Sequence, residues 1–170
     1  MNARQMLGTL GISAVLACTI SLSNSALAEG PPARQGLEGT WITGVAPVGA
    51  PGFLGLTTYT QDGQVLGESS STTSRSLDHG EWFKIGPREY FRTSILFRFA
   101  PPPAEPRTYI GVARITATIM LSESGDEYTA EAVTERFDPD GNFVSATNNT
   151  EMARRCDSST SIARCLGLGN

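Results

Sequence analysis

Short runs of apolar and β-branched residues, each closed by a turn, recur along most of this chain. No window of helical length carries an apolar stripe with a 3.6-residue period, and turn signals come too often for one. The pattern predicts eight strands, at residues 40–45, 53–60, 64–69, 80–85, 89–100, 108–121, 128–137 and 143–152. Gln61-Asp62-Gly63, Gly86-Pro87-Arg88, Ser124-Gly125-Asp126 and Asp138-Pro139-Asp140-Gly141 separate several of them with residues suited to tight turns. Pro101-Pro102-Pro103 ends the fifth by removing donors and fixing φ.

Residues alternate inside these runs. In the fifth, Phe91, Ile95, Phe97 and Phe99 oppose Arg92, Ser94 and Arg98. In the sixth, Ile115, Ala117, Ile119 and Leu121 oppose Arg114, Thr116 and Thr118; in the seventh, Ala130, Ala132 and Thr134 oppose Glu131 and Glu135. One wet and one dry face per strand is the mark of an antiparallel sheet. Mostly short connections make a meander, and eight strands can curl until the first meets the last, which leaves no edge. The expected fold is all-β, an eight-stranded antiparallel up-and-down barrel whose interior is filled by side chains or holds one small ligand. The dry set is Trp41, Leu54, Leu56, Phe83, Ile85, Phe91, Ile95, Phe97, Ile115, Ile119 and Val133. It reads either as a packed core or as a cavity wall. For a cavity, the ligand-binding residues are Trp41, Leu54, Leu56, Phe83, Phe91, Ile95, Phe97, Ile115 and Ile119, with a mouth at 45–52 or 70–78. The mirror-image alternative, an outer-membrane barrel with its apolar face to lipid, wants aromatic girdles at both strand ends, and these are not evident.

The N-terminus changes the picture. Arg4 precedes an uncharged apolar run over 6–22, and Ala26-Leu27-Ala28 places small residues where a signal peptidase reads. Residues 1–28 are therefore expected to be a cleaved signal peptide, with the protein secreted or periplasmic and no transmembrane segment in its mature form. Val15-Leu16-Ala17-Cys18 offers an alternative, a lipoprotein acylated on Cys18. Residues 29–36 then form a Pro- and Gly-rich disordered leader, 37–155 the barrel and 156–170 a tail.

Lys and Arg number 13 against 17 Asp and Glu, a net charge of −4, and no basic patch forms, which argues against a nucleic-acid partner. Cys156 and Cys165 read as a disulfide in an oxidising compartment, with two free thiols as the alternative. His79 is the only histidine, so no metal site is expected, and no residue set demands a cofactor. His79, oriented by Asp78 or Glu81, could act as a general base, or it could simply sit in a polar turn. Glu131 and Glu135, four residues apart on a strand, stand roughly 13 Å from one another, too far for a glycosidase pair. Arg92, Arg98 and Arg114 read either as exterior partners of Glu131 and Glu135, or with one of them in the lumen, holding a carboxylate at the end of an apolar ligand.

Gly39-Thr40-Trp41 at the first strand resembles the Gly-x-Trp signature of the lipocalin-like (calycin) barrels, and Gly80-Glu81-Trp82 repeats it at the fourth. The stretch 37–155 is also similar to a group of uncharacterised bacterial secreted proteins. That group has a Gly-Thr-Trp start, a His-Gly-x-Trp centre (here His79 to Trp82) and an Asp-Pro-Asp-Gly-Asn hairpin (here Asp138 to Asn142). No Thr-Asp-Tyr-type segment, the second lipocalin signature, precedes the late strands. The resemblance implies a tryptophan packed across one barrel end. Three functions remain open: a small apolar or amphipathic ligand bound in the lumen; an isomerase or cyclase with His79 or Glu81 turned inward; or a ligand-free interaction protein of the envelope.

Overall fold

The structure, a computed structural model, describes residues 36–70, 74–101, 108–157 and 160–167. The predicted signal peptide, Cys18, the leader up to residue 35 and part of the 70–78 mouth segment lie outside the described residues. Eight strands pair in sequence order, each antiparallel to the next: β1 (Gly39–Pro47), β2 (Phe53–Tyr59), β3 (Gln64–Ser69), β4 (Asp78–Lys84), β5 (Glu89–Phe99), β6 (Tyr109–Leu121), β7 (Glu127–Phe137) and β8 (Phe143–Cys156). β8 returns to β1, from Thr40 opposite Cys156 to Pro47 opposite Asn149, and closes the barrel. β8 runs past its predicted end at Met152 because its last residues find partners on β1.

The turns do what their residues dictate. Asp138 Oδ1 accepts from the backbone N–H groups of Asp140 at 3.0 Å and Asn142 at 2.8 Å, and Gly141 takes φ of +86°, where a side chain would be strained. Register shifts at Arg98/Phe99 and Arg136/Phe137 mark bulges at the same end of the barrel.

That end also carries the β1–β2 and β3–β4 connections. The opposite end is closed by a core of Trp41, Tyr59, Val65, Trp82, Tyr90, Ile119 and Tyr128. Trp41 Nε1 donates to the Leu37 carbonyl at 2.9 Å, and the Arg155 guanidinium lies 4.2 Å over its ring. Arg155 also donates to the carbonyls of Gly36, Glu38 and Gly125. The tail is pinned by the Cys156–Cys165 bridge, with a single helical turn, α1 (Ile162–Cys165), capped by the Ser161 hydroxyl.

Residues on four strands correct the sequence reading. Trp41, Ile115 and Ile119 point inward as expected. Leu54 and Leu56 on β2, Phe83 on β4, and Phe91, Ile95 and Phe97 on β5 point outward; Phe97 is 57% exposed, whereas its neighbour Leu96 is 5% exposed. Val133, too, faces out on β7. Arg92 and Ser94 fill the inward positions instead. The cause is the register. Trp82 pairs with Arg92 and Phe83 with Phe91, so the inward Trp82 carries Arg92 inside with it. Outer apolar residues crowd β2–β5; on β6 and β8 the exposed ones, Tyr109, Met120, Phe143, Val144 and Met152, sit toward the strand ends. β6–β8 carry Arg114, Glu131, Glu135 and the Arg154–Glu127 pair outward, so the exterior lacks the continuous apolar band of a lipid-facing barrel.

Candidate functional site

Halfway up the barrel the aromatic packing gives out. Inward positions there hold small or polar residues: Thr43, Gly55, Thr57, Gly67 and Ala113. The space they leave is a cavity of about 560 Å³. A Cβ at position 67 would stand 2.4 Å from Asp78 Oδ1, so any larger residue there would have to displace that buried carboxylate.

A buried polar network forms the floor. Arg92 Nη2 donates to Glu151 Oε1 at 2.5 Å, with both side chains 5% exposed or less. Arg92 Nη1 lies 3.4 Å from Tyr59 Oη, which is 3.4 Å from Tyr128 Oη, itself 3.1 Å from Thr43 Oγ1. Burial works against the Arg92 charge, but Glu151 and the two tyrosine hydroxyls more than offset it and hold the guanidinium above its ordinary range. Burial drives the Tyr59 and Tyr128 phenols upward, so both remain neutral donors. Two floor atoms, Arg92 Nε and Glu151 Oε2, are buried without a hydrogen-bond partner among the described residues. Each such group costs about 1–3 kcal/mol.

The wall holds a second acid–base pair. Asp78 accepts from Arg75 Nη2 at 2.5 Å and from Ser94 Oγ at 2.9 Å. Burial lowers the Arg75 pKa, against the pull of Asp78. Asn149 donates to Thr134 Oγ1 at 3.0 Å. Leu96, Ala113 and Ile115 supply an apolar strip. The rim is built from residues 47–51 on one side and from Ser74, Arg75, Arg98 and Arg136 on the other, so both expected mouth segments border the cavity.

Of the nine residues read as ligand-binding, only Ile115 lines this cavity. Trp41 and Ile119 sit in the closed-end core, and the other six lie outside the barrel. His79 and Glu81 also point outward on β4 and are exposed, so neither can serve as a lumen acid or base. Arg114 is exterior, 2.7 Å from Glu135, as one of the two arginine readings holds; Arg92 stands in the lumen, where the other reading puts one arginine, but its partner there is Glu151. Glu151, Asn149, Tyr59 and Tyr128 complete the site without any motif that marks them in the sequence. On β8 the buried set Asn149, Glu151, Ala153 and Arg155 alternates with exposed residues, but both faces mix polar and apolar side chains, so the sequence carries no signal for it.

Among the described residues, no three of His, Cys, Asp and Glu come together as a metal site, and no helix is long and apolar enough to cross a membrane. Comparison of the chain with family models, curated proteins and solved structures finds no match.

Proposed function

We propose that this barrel binds a small amphipathic molecule in the half of its lumen above Arg92 and Glu151, and that it works outside the cytoplasm. The observation that carries the reading is the cavity itself. Its volume of about 560 Å³ falls among small-molecule sites. Its lining divides between an apolar strip at Leu96, Ala113 and Ile115 and polar groups at Thr43, Thr57, Ser69 and Asn149. A wholly apolar ligand would leave those polar groups dry and unmatched, so the occupant is amphipathic. The Cys156–Cys165 bridge supports an oxidising compartment.

The test is native mass spectrometry of protein purified from its own host, beside an Ala113→Phe variant that fills the cavity. A stoichiometric added mass on the native chain, lost in the variant, is the expected result. The same added mass on both chains would place binding elsewhere. Intact mass would also show a chain starting at Glu29, or an acylated Cys18 for the tethered alternative.

A further inference from the structure

The charges around the cavity do not balance. Of the carboxylates turned into the lumen, Asp78 is held by Arg75 and Glu151 by Arg92. Glu68 touches the cavity edge from an outward, exposed position of β3. Two further arginines line the cavity with no carboxylate in ion-pair range among the described residues. Arg136 donates only to Thr147 Oγ1, at 2.7 Å, and Arg98 has no side-chain partner among the described residues.

Their placement is as informative as their charge. They stand on the two strands that flank β6, Arg98 opposite Gly111 and Arg136 opposite Ala113. Two strand spacings separate them, roughly 10 Å between backbones, a gap that long arginine side chains can cross. Nothing larger than a methyl group rises from β6 between them. Partial burial and the nearby Arg136 charge lower the Arg98 pKa, as expected of two guanidinium groups sharing one partly dry corner. Like charges so placed repel, and an anion between them turns that repulsion into attraction.

Resting on the lumen-binding reading above, we propose that Arg98 and Arg136 form an anion clamp at the cavity rim and that the ligand is an amphipathic molecule with an anionic oxygen head group, a carboxylate or a phosphate monoester. The head sits at the mouth, where planar guanidinium groups can each give it two hydrogen bonds. The less polar part lies inward along Leu96, Ala113 and Ile115.

The test is titration calorimetry of the folded protein with four twelve-carbon probes below their micellar concentrations: dodecanoate, dodecyl phosphate, dodecanol and dodecyltrimethylammonium. At least one anion should bind tenfold or more tightly than dodecanol, and the cation should bind worst. Whichever anion binds better identifies the head group. The double variant Arg98→Gln/Arg136→Gln should erase the preference, bringing the anions down to the affinity of dodecanol; Arg98→Lys should keep part of it. Far-ultraviolet circular dichroism checks that each variant folds. Added salt should weaken the anion alone. Equal affinity for anion and alcohol, or an unchanged preference in the double variant, would overturn the clamp and leave the lumen reading standing. Failure of all four probes to bind would overturn both.

Discussion

Arg92 shows how much a single side chain decides here. Its guanidinium is buried beside Glu151, and each charge is tolerable only because the other is there. Removing one partner strands the other. Arg92→Met is expected to cost about 3–5 kcal/mol, whereas Arg92→Met combined with Glu151→Leu should recover much of that loss. Urea unfolding of the two single variants and the double would measure it; a double variant as unstable as the sum of the singles would show that the pair does not act as a unit. The arginine was legible in the sequence as one of two readings, because Arg92, Ser94 and Arg98 visibly alternate. Its partner was not, since 59 residues separate Arg92 from Glu151 and only the closed register brings them together.

At the scale of the strand, existence was easier to read than orientation. Turns such as Asp62-Gly63 and Asp138-Pro139-Asp140-Gly141 punctuate the chain, and the predicted strands match β1–β8 closely at most ends. The faces of β6 and, Val133 apart, of β7 were also legible, because Ile and Ala oppose Arg, Thr and Glu there. β5 is the exception, because bulk there does not mark burial. In a barrel with a charged floor and a cavity above it, inward positions favour small or polar groups, and large apolar residues are left outside. The tight β4–β5 hairpin held the correcting clue: Trp82 inside forces Arg92 inside. Adjacent substitutions on β5 test the assignment. Leu96→Ala should cost about 2–5 kcal/mol, as for a buried leucine, while Phe97→Ala should stay within about 1 kcal/mol, since half of its ring already meets water. Denaturant midpoints that rank the two the other way would return Phe97 to the interior.

For the whole molecule the question is what holds the ring shut. Hydrogen bonds between β1 and β8 supply the closure, but they join segments at opposite ends of the barrel sequence, and forming them costs chain entropy. Arg155 reinforces the seam from within. It stands on β8, covers the Trp41 ring on β1, and donates to carbonyls at Gly36 and Glu38, which precede β1, and at Gly125, before β7. Only a forked, planar cation makes these contacts at once. Lysine keeps the charge but cannot reproduce the fork, so it leaves buried carbonyls without donors. Arg155→Lys is therefore expected to lower stability by about 2–4 kcal/mol, the cost of one or two unmatched buried polar groups. The cavity lies toward the other end of the barrel, so ligand affinity in the folded variant should hold. Urea unfolding followed by Trp fluorescence reads the first effect, and calorimetry with the best-binding twelve-carbon probe reads the second. A variant as stable as the parent would leave closure to the β1–β8 ladder alone. A stability loss accompanied by weaker binding would mean that the closed end and the cavity act as one cooperative body, so that sealing the base also shapes the mouth.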